Sequence, residues 1–306
     1  MTDIRIADKI LGQHHKPFVI AEMSGNHNQS LDRALAIVDA AAHAGADAIK
    51  LQTYTADTMT IKGAYTISDS KSLWDGKELH DLYKLAHTPW EWHEAIFKHA
   101  AKMGLVAFSS PFDSTAVDFL EDLGVPIYKI ASFENTDHPL LKRIARTGKP
   151  VIMSTGVSTL ADIFESVQVL RENGCKQLVL LKCTSTYPAT PENTNLMTIP
   201  VLKEIFSDCL IGLSDHTMGV GAAIASVALG ARVIEKHFTL RRADGGVDST
   251  FSLEPEELKS LTVESERAFL ALGHANLLSL MKKRTAKNSS GPSMWLKMFT
   301  LAKCYP

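Results

Sequence analysis

From Phe18 to Gly273 the chain repeats one unit eight times: a short apolar run of strand character, then a segment whose apolar residues recur at helical spacing. Such alternation calls for parallel strands joined by crossover helices, and an even set of eight favours closure into a barrel over an open doubly wound sheet. The runs are FVIAEM, AIKLQ, VAFSS, IYKIAS, VIMST, LVLLKCTS, IGLSDH and VIEKHFTL. Many of the helical segments between them end in Gly, the expected residue just past a helix. No GxGxxG follows a strand, so a dinucleotide-binding sheet is the weaker reading. The expected architecture is a (β/α)8 TIM barrel over residues 18–274, with a short N-terminal extension at 1–17.

Nearly every run ends in charged or hydroxyl residues. A buried parallel strand has no structural need for a terminal Glu, Lys or His, so these groups are better explained by a site at one end of the barrel. Strand side chains alternate between faces, which puts Ser214 with His216 and Glu235 with His237. Two imidazoles at neighbouring strand ends can hold Mn²⁺, Mg²⁺ or a similar ion, with water, carboxylate or substrate oxygen completing the shell. The alternative for the pair is two hydrogen-bonded core histidines. Lys50 and Lys129 end the second and fourth runs, and with Ser110, Ser132 and Ser154 they suit a phosphate or carboxylate.

Glu22, at the end of the first run, is the acid best placed as a base, proton relay or acceptor for a substrate hydroxyl. Asp215 and Asp248 are candidates for substrate hydroxyls or the outer shell of a metal, although Asp248 also reads as a turn residue in ADGGVDS. Lys182 offers a second mechanism, a Schiff base with a carbonyl substrate. Borohydride trapping would mark the lysine enzyme and chelator sensitivity the metal enzyme.

Composition narrows the partners. The chain has 306 residues, 45% hydrophobic and 22% charged, with a formal net charge of −2. That is enough for one full core, and it gives no global attraction to nucleic acid or acidic membranes. Four scattered cysteines without a CxxC pair, and the absence of an apolar run of signal or membrane length at the N-terminus, lead to the expectation of a soluble cytoplasmic protein. The connection from Thr53 to Pro89 is long and mostly irregular, as substrate lids and binding loops often are. Residues 275–306 read as a basic, disordered tail. From Leu277 on they hold five Lys and one Arg and no acidic residue.

Taken in order, AEMSGNHNQSLDRAL, GADAIKLQTY, FSSPFD, YKIAS, LKCTSTYP, GLSDHT, GARVIEKHFTL and FSLEPEEL resemble the sialic acid synthase family. Those enzymes condense phosphoenolpyruvate with an amino sugar to a nine-carbon keto acid and phosphate. KIASFE, TPWEWH and LWDGKELHDLYKLA are closer to the pseudaminic acid branch, which implies 2,4-diacetamido-2,4,6-trideoxy-altropyranose as the sugar. The N-acetylneuraminate or legionaminate branch is the alternative.

The resemblance implies His216 and His237 as ligands of Mn²⁺ or Mg²⁺ and Glu22 as a catalytic or substrate-contacting carboxylate. Lys50, Lys129, Ser132, Ser154 and Ser214, with Thr184 nearby, would hold phosphoenolpyruvate, and Tyr187 and Asp248 the sugar. Members of the family continue into an antifreeze-like domain that swaps across a homodimer and lends an arginine to the partner's sugar site. Here the resemblance stops near Gly273 and the basic tail stands in its place. The expectation is therefore a weakened dimer, or a barrel that binds anions or a partner without useful turnover.

Overall fold

The computed structural model describes residues 3–70 and 72–274. Two units divide the chain, Met1–Leu272 and Gly273–Pro306; the expected tail at 275–306 lies outside the described residues. Residues read as a bare extension form a hairpin, β1 (Ile4–Ile6) and β2 (Lys9–Leu11), paired antiparallel. The barrel strands follow as β3 (Phe18–Glu22), β4 (Ala48–Thr53), β5 (Val106–Pro111), β6 (Tyr128–Ile130), β7 (Val151–Ser154), β8 (Leu178–Cys183), β9 (Leu210–Asp215) and β10 (Val233–His237). All eight pair parallel, and β10 closes on β3 with Val233 opposite Phe18 and His237 opposite Glu22. The barrel expected from the repeat is therefore the observed fold.

Alternation along each strand makes two different cores. Outward residues such as Val19, Ile49, Tyr128, Met153, Leu180, Ile211 and Ile234 pack under the helices. Inward residues Phe18, Ile20, Ala48, Val106, Phe108, Ile127, Ile152, Val179, Leu181, Leu210 and Val233 fill the lower barrel, together with Ile4, Ile6 and Leu11 of the hairpin. The hairpin thus closes the N-terminal end. Burying one Leu, Ile or Phe contributes roughly 1.5–3 kcal/mol, so an apolar lower half can offset polar groups gathered in the upper half.

The helices begin where side chains satisfy free amides: Ser30 accepts from the Arg33 N–H, Asp113 from Thr115 and Ala116, and Thr159 from Asp162. The long connection after β4 is not structureless. It holds helices Ala56–Met59 and Leu79–Ala86, and the Trp74 indole donates to the Val247 carbonyl at 3.1 Å.

The packed interior leaves one sharp test. Gly212 lies in the inward row of β9, where an added Cβ would overlap the Val233 carbonyl and come within 2.6 Å of Leu181 Cδ2. Gly212→Ala should cost on the order of 2 kcal/mol in a denaturant melt; an unchanged melt would mean that the barrel is looser here than described.

Candidate active site

Above the apolar floor the inward row becomes charged. Glu22 and Lys50 are register partners on β3 and β4, and Lys50 Nζ lies 2.7 Å from Glu22 Oε2. Glu235 on β10 joins them, 3.6 Å from Lys50 Nζ and 3.8 Å from Lys129 Nζ. None of these four residues is more than 5% exposed. Gln52 donates to Glu22 at 3.0 Å, Ser214 to Glu235 at 3.1 Å, Lys50 to Ser110 at 3.3 Å and Lys129 to Ser154 at 2.7 Å. Ser132 Oγ accepts the Gly156 N–H at 3.1 Å at the end of the neighbouring strand. Burial raises Glu22 above the usual carboxyl range despite Lys50. For Glu235 burial acts the same way, but Lys129 and Lys50 outweigh it and hold that carboxylate ionised.

The two imidazoles stand beside this layer, their ring centroids 5.3 Å apart. His216 Nδ1 lies 2.9 Å from the Thr184 carbonyl, an acceptor only, so Nδ1 donates. Thr184 therefore meets the site through its backbone. Its hydroxyl is on Lys182 and the Asn193 carbonyl, away from the lysines with which it was grouped. His237 is buried and its Nδ1 has no hydrogen-bond partner; Asp248 Oδ2 is 3.7 Å away and accepts from Ser24. Burial, then the positive groups around it, hold His237 far below the usual imidazole value. Tyr187 packs on His216 at 4.5 Å and Phe251 on His237 at 5.0 Å, completing an aromatic wall.

Two adjacent imidazoles, one with an orphaned nitrogen, fit a divalent ion that takes further ligands from water or substrate. Among the described residues no three His, Cys, Asp or Glu form a complete cation cage.

Alternation also corrects two expectations. Asp215 points outward, not into the mouth: its carboxylate is 3.0 Å from Lys236 Nζ, with both side chains at 0% exposure. Asp215 also accepts from the Thr217 N–H at 2.9 Å, and Lys236 donates to the Thr217 carbonyl. This pair ties together the backs of the two strands that carry His216 and His237. Lys182 has the same outward parity and sits against the Thr184 hydroxyl, which removes the geometric basis for a Schiff-base lysine inside the barrel.

Several groups in the site were not singled out in the sequence. Glu235 was seen only as a face-mate of His237, although its parity was the available signal. Cys183 faces inward 3.9 Å from His216 Nδ1. Burial alone would push its thiol up, but His216 and Lys129 bring it to about 7. Glu134 follows β6 in the turn Ser132–Glu134, and its Oε2 is buried without a partner. Burial, only partly opposed by Lys129 and Lys50, raises Glu134 to about 7. Its signal was the acidic end of KIASFE.

The model described as the NeuB family covers residues 37–276, and the chain belongs to that family, the sialic acid synthases. The pseudaminic acid synthase of Campylobacter jejuni subsp. jejuni serotype O:2 is 46% identical over 86% of this chain and 76% of its own. The N,N'-diacetyllegionaminic acid synthase of the same organism is 40% identical over 84% and 78%. The crystal structure of N-acetylneuraminic acid (sialic acid) synthetase from Leptospira borgpetersenii serovar Hardjo-bovis, in complex with citrate, superposes with a TM-score of 0.82 at 30% identity. It covers 99% of this chain and 97% of that one.

Glu134 makes the electrostatics testable. Its carboxyl binds a proton more tightly in the folded state, about 7 against an ordinary 4.5, so the folded chain holds the extra proton between those values. Stability from this group is complete below pH ~4.5 and falls as pH rises towards ~7. Relative to the native chain, Glu134→Gln should gain on the order of 2 kcal/mol between pH 5 and pH 8. Parallel pH–stability curves would show that Glu134 is not desolvated.

Proposed function

We propose that this chain is a cytoplasmic pseudaminic acid synthase. It would condense phosphoenolpyruvate with 2,4-diacetamido-2,4,6-trideoxy-altropyranose to give a nine-carbon keto acid and phosphate. The observation that carries the reading is the meeting, in one buried layer, of Lys50 and Lys129 with the pair His216 and His237. A substrate with phosphate and carboxylate groups suits two buried ammoniums, and an aldehyde oxygen would suit a cation held by the two imidazoles.

In this reading Lys50, Lys129, Ser132, Ser154 and Ser214 hold phosphoenolpyruvate. Because Glu235 already pairs with both lysines, the incoming anion shares them with a carboxylate. The lysines are thereby kept in place before substrate arrives, and the site costs little reorganisation. His216 and His237 would hold Mn²⁺ or Mg²⁺, with Thr184 fixing His216 through its carbonyl. The chemistry that such an ion supplies when bound is Lewis-acid polarisation of a carbonyl oxygen.

The open-chain sugar lies between Tyr187 and Asp248, its aldehyde carbon against C3 of phosphoenolpyruvate. The new carbon–carbon bond uses the enol π electrons, water adds at C2, and phosphate departs with C–O cleavage. Glu22, raised by burial and held by Lys50 and Gln52, is placed to accept a sugar hydroxyl or relay a proton. Glu134 near 7 can hold or release one at neutral pH. Holding both substrates in register is the main kinetic gain, since effective molarities of well-oriented groups reach about 10⁵ M or more. No helix among the described residues is long and apolar enough to cross a membrane, in keeping with a reaction that draws on phosphoenolpyruvate.

A legionaminate synthase is the second reading, favoured by the 40% identity to that relative. Phosphate release from phosphoenolpyruvate with Mn²⁺ separates the two. Release with the altrose-configured sugar is expected, and release only with the legionaminate precursor or N-acetylmannosamine would overturn the assignment. His237→Ala should lose Mn²⁺ binding, read by electron paramagnetic resonance, together with turnover; full turnover in metal-stripped enzyme would sink the role given to the imidazoles.

A further inference from the structure

A cavity of about 470 Å³ opens between the turn at Gly25–Gln29, the segment Leu73–Lys77 and the loop Gly246–Thr250. We propose that it binds the far end of the acetamido sugar and selects for apolar substituents on it: acetamido methyls and a deoxygenated C6. This rests on the reading that the chain condenses an acetamido sugar.

Position comes first. Val247 adjoins Asp248, and Gly25 adjoins Ser24, which donates to Asp248. Trp74 stands 6.2 Å from the Tyr187 ring, which itself packs on His216. In the proposed pose the aldehyde is at the imidazoles, the chain runs along Tyr187, and the other end meets the cavity at Trp74.

Chemistry decides what that end is. Leu73 and Leu85 are 42% and 55% exposed, and both line the cavity, as do Trp74 and Val247. Exposed large apolar side chains gathered at one concavity mark a binding surface more than chance would. The Trp74 Nε1–H is spent on the Val247 carbonyl, so the indole is pinned and offers its face. The amide nitrogens are committed as well: Gln29 donates to the Leu85 and His87 carbonyls at 3.0 and 2.8 Å, and Asn28 to the Gly245 carbonyl at 3.2 Å. Gln29 is left with its amide oxygen alone, and Asn28 with its oxygen and one N–H, groups that suit an acetamido amide.

Lys77 is the single lining cation, able to donate to an acetamido carbonyl. An acetamido group thus finds acceptor, donor and apolar wall together. The wall is rigid at its closest point. Gly246 has φ +127°, and a Cβ there would come within 2.6 Å of Asn28 Oδ1.

Steady-state kinetics on Leu73→Asp, Trp74→Ala and Trp74→Phe in the full chain test this. Leu73→Asp and Trp74→Ala should raise the KM of the sugar by about tenfold or more, the scale of a lost apolar contact, with the KM of phosphoenolpyruvate within about twofold; Trp74→Phe should restore most of the loss. If the native chain turns over another acetamido sugar, the same pattern for that sugar upholds the cavity while the proposed function falls. Unchanged sugar KM, or both KM values rising together, overturns the cavity assignment.

Saturation-transfer NMR of the diacetamido sugar gives a readout that needs no turnover. Transfer to its acetamido and C6 methyls, lost in Leu73→Asp, supports the assignment; no transfer in the native chain contradicts it.

Discussion

The rest of the structure is arranged around four buried charges: Glu22, Lys50, Glu235 and Lys129. Moving one ion out of water costs several kcal/mol even after relaxation, and a well-packed apolar set of similar volume would serve stability as well or better. The layer exists because each charge has a partner within reach: Lys50 touches both carboxylates, and Glu235 touches both lysines. Removing Lys50 strands Glu22, and removing Glu235 strands Lys129. Such a layer is a poor way to hold a barrel together and a good way to keep a polar site ready, since its dipoles are already oriented when substrate arrives. The apolar floor and the hairpin at Ile4–Leu11 supply the burial that makes this affordable.

Barrel closure couples that layer to the imidazoles. β10 pairs with β3 so that His237 lies opposite Glu22, while β9 pairs with β10 with Ser214 opposite Glu235. Behind the sheet Asp215 and Lys236 tie the same two strands from the outward side. The spacing of the imidazoles is therefore set from both faces, and neither histidine depends on a flexible loop. Polarity then grades outwards: charges at the base of the mouth, rings of Tyr187, Phe251 and the histidines above them, and the apolar walls of Leu73 and Trp74 at the rim. On the proposed function, the condensation takes place deep in the barrel and the substituents of the amino sugar meet the surface.

Much of this was legible in the chain. Eight apolar runs at regular intervals sufficed for the barrel, and parity within IEKHF and GLSDH placed Glu235 with His237 and Ser214 with His216. Parity states which residues share a face but not which face is inside. Asp215 and Lys182 consequently looked available for chemistry when they point to the helices. Stagger between strands is also silent in the sequence, so the meeting of Glu235 with both Lys50 and Lys129 leaves no mark there. The Thr184 contribution was missed in kind, because a backbone carbonyl leaves no mark on residue identity. The hairpin escaped notice because its two strands are three residues each, too short for a period to register.

The central claim is that one buried layer holds phosphoenolpyruvate on its lysines while the adjoining imidazoles hold the ion. Anomalous diffraction at the manganese edge, from crystals grown with Mn²⁺ and phosphoenolpyruvate, tests this most directly. The account predicts one strong peak bonded to nitrogens of both His216 and His237, with the phosphoenolpyruvate anion hydrogen-bonded to Lys50 or Lys129. A peak elsewhere, or an anion bound away from both lysines, would contradict it.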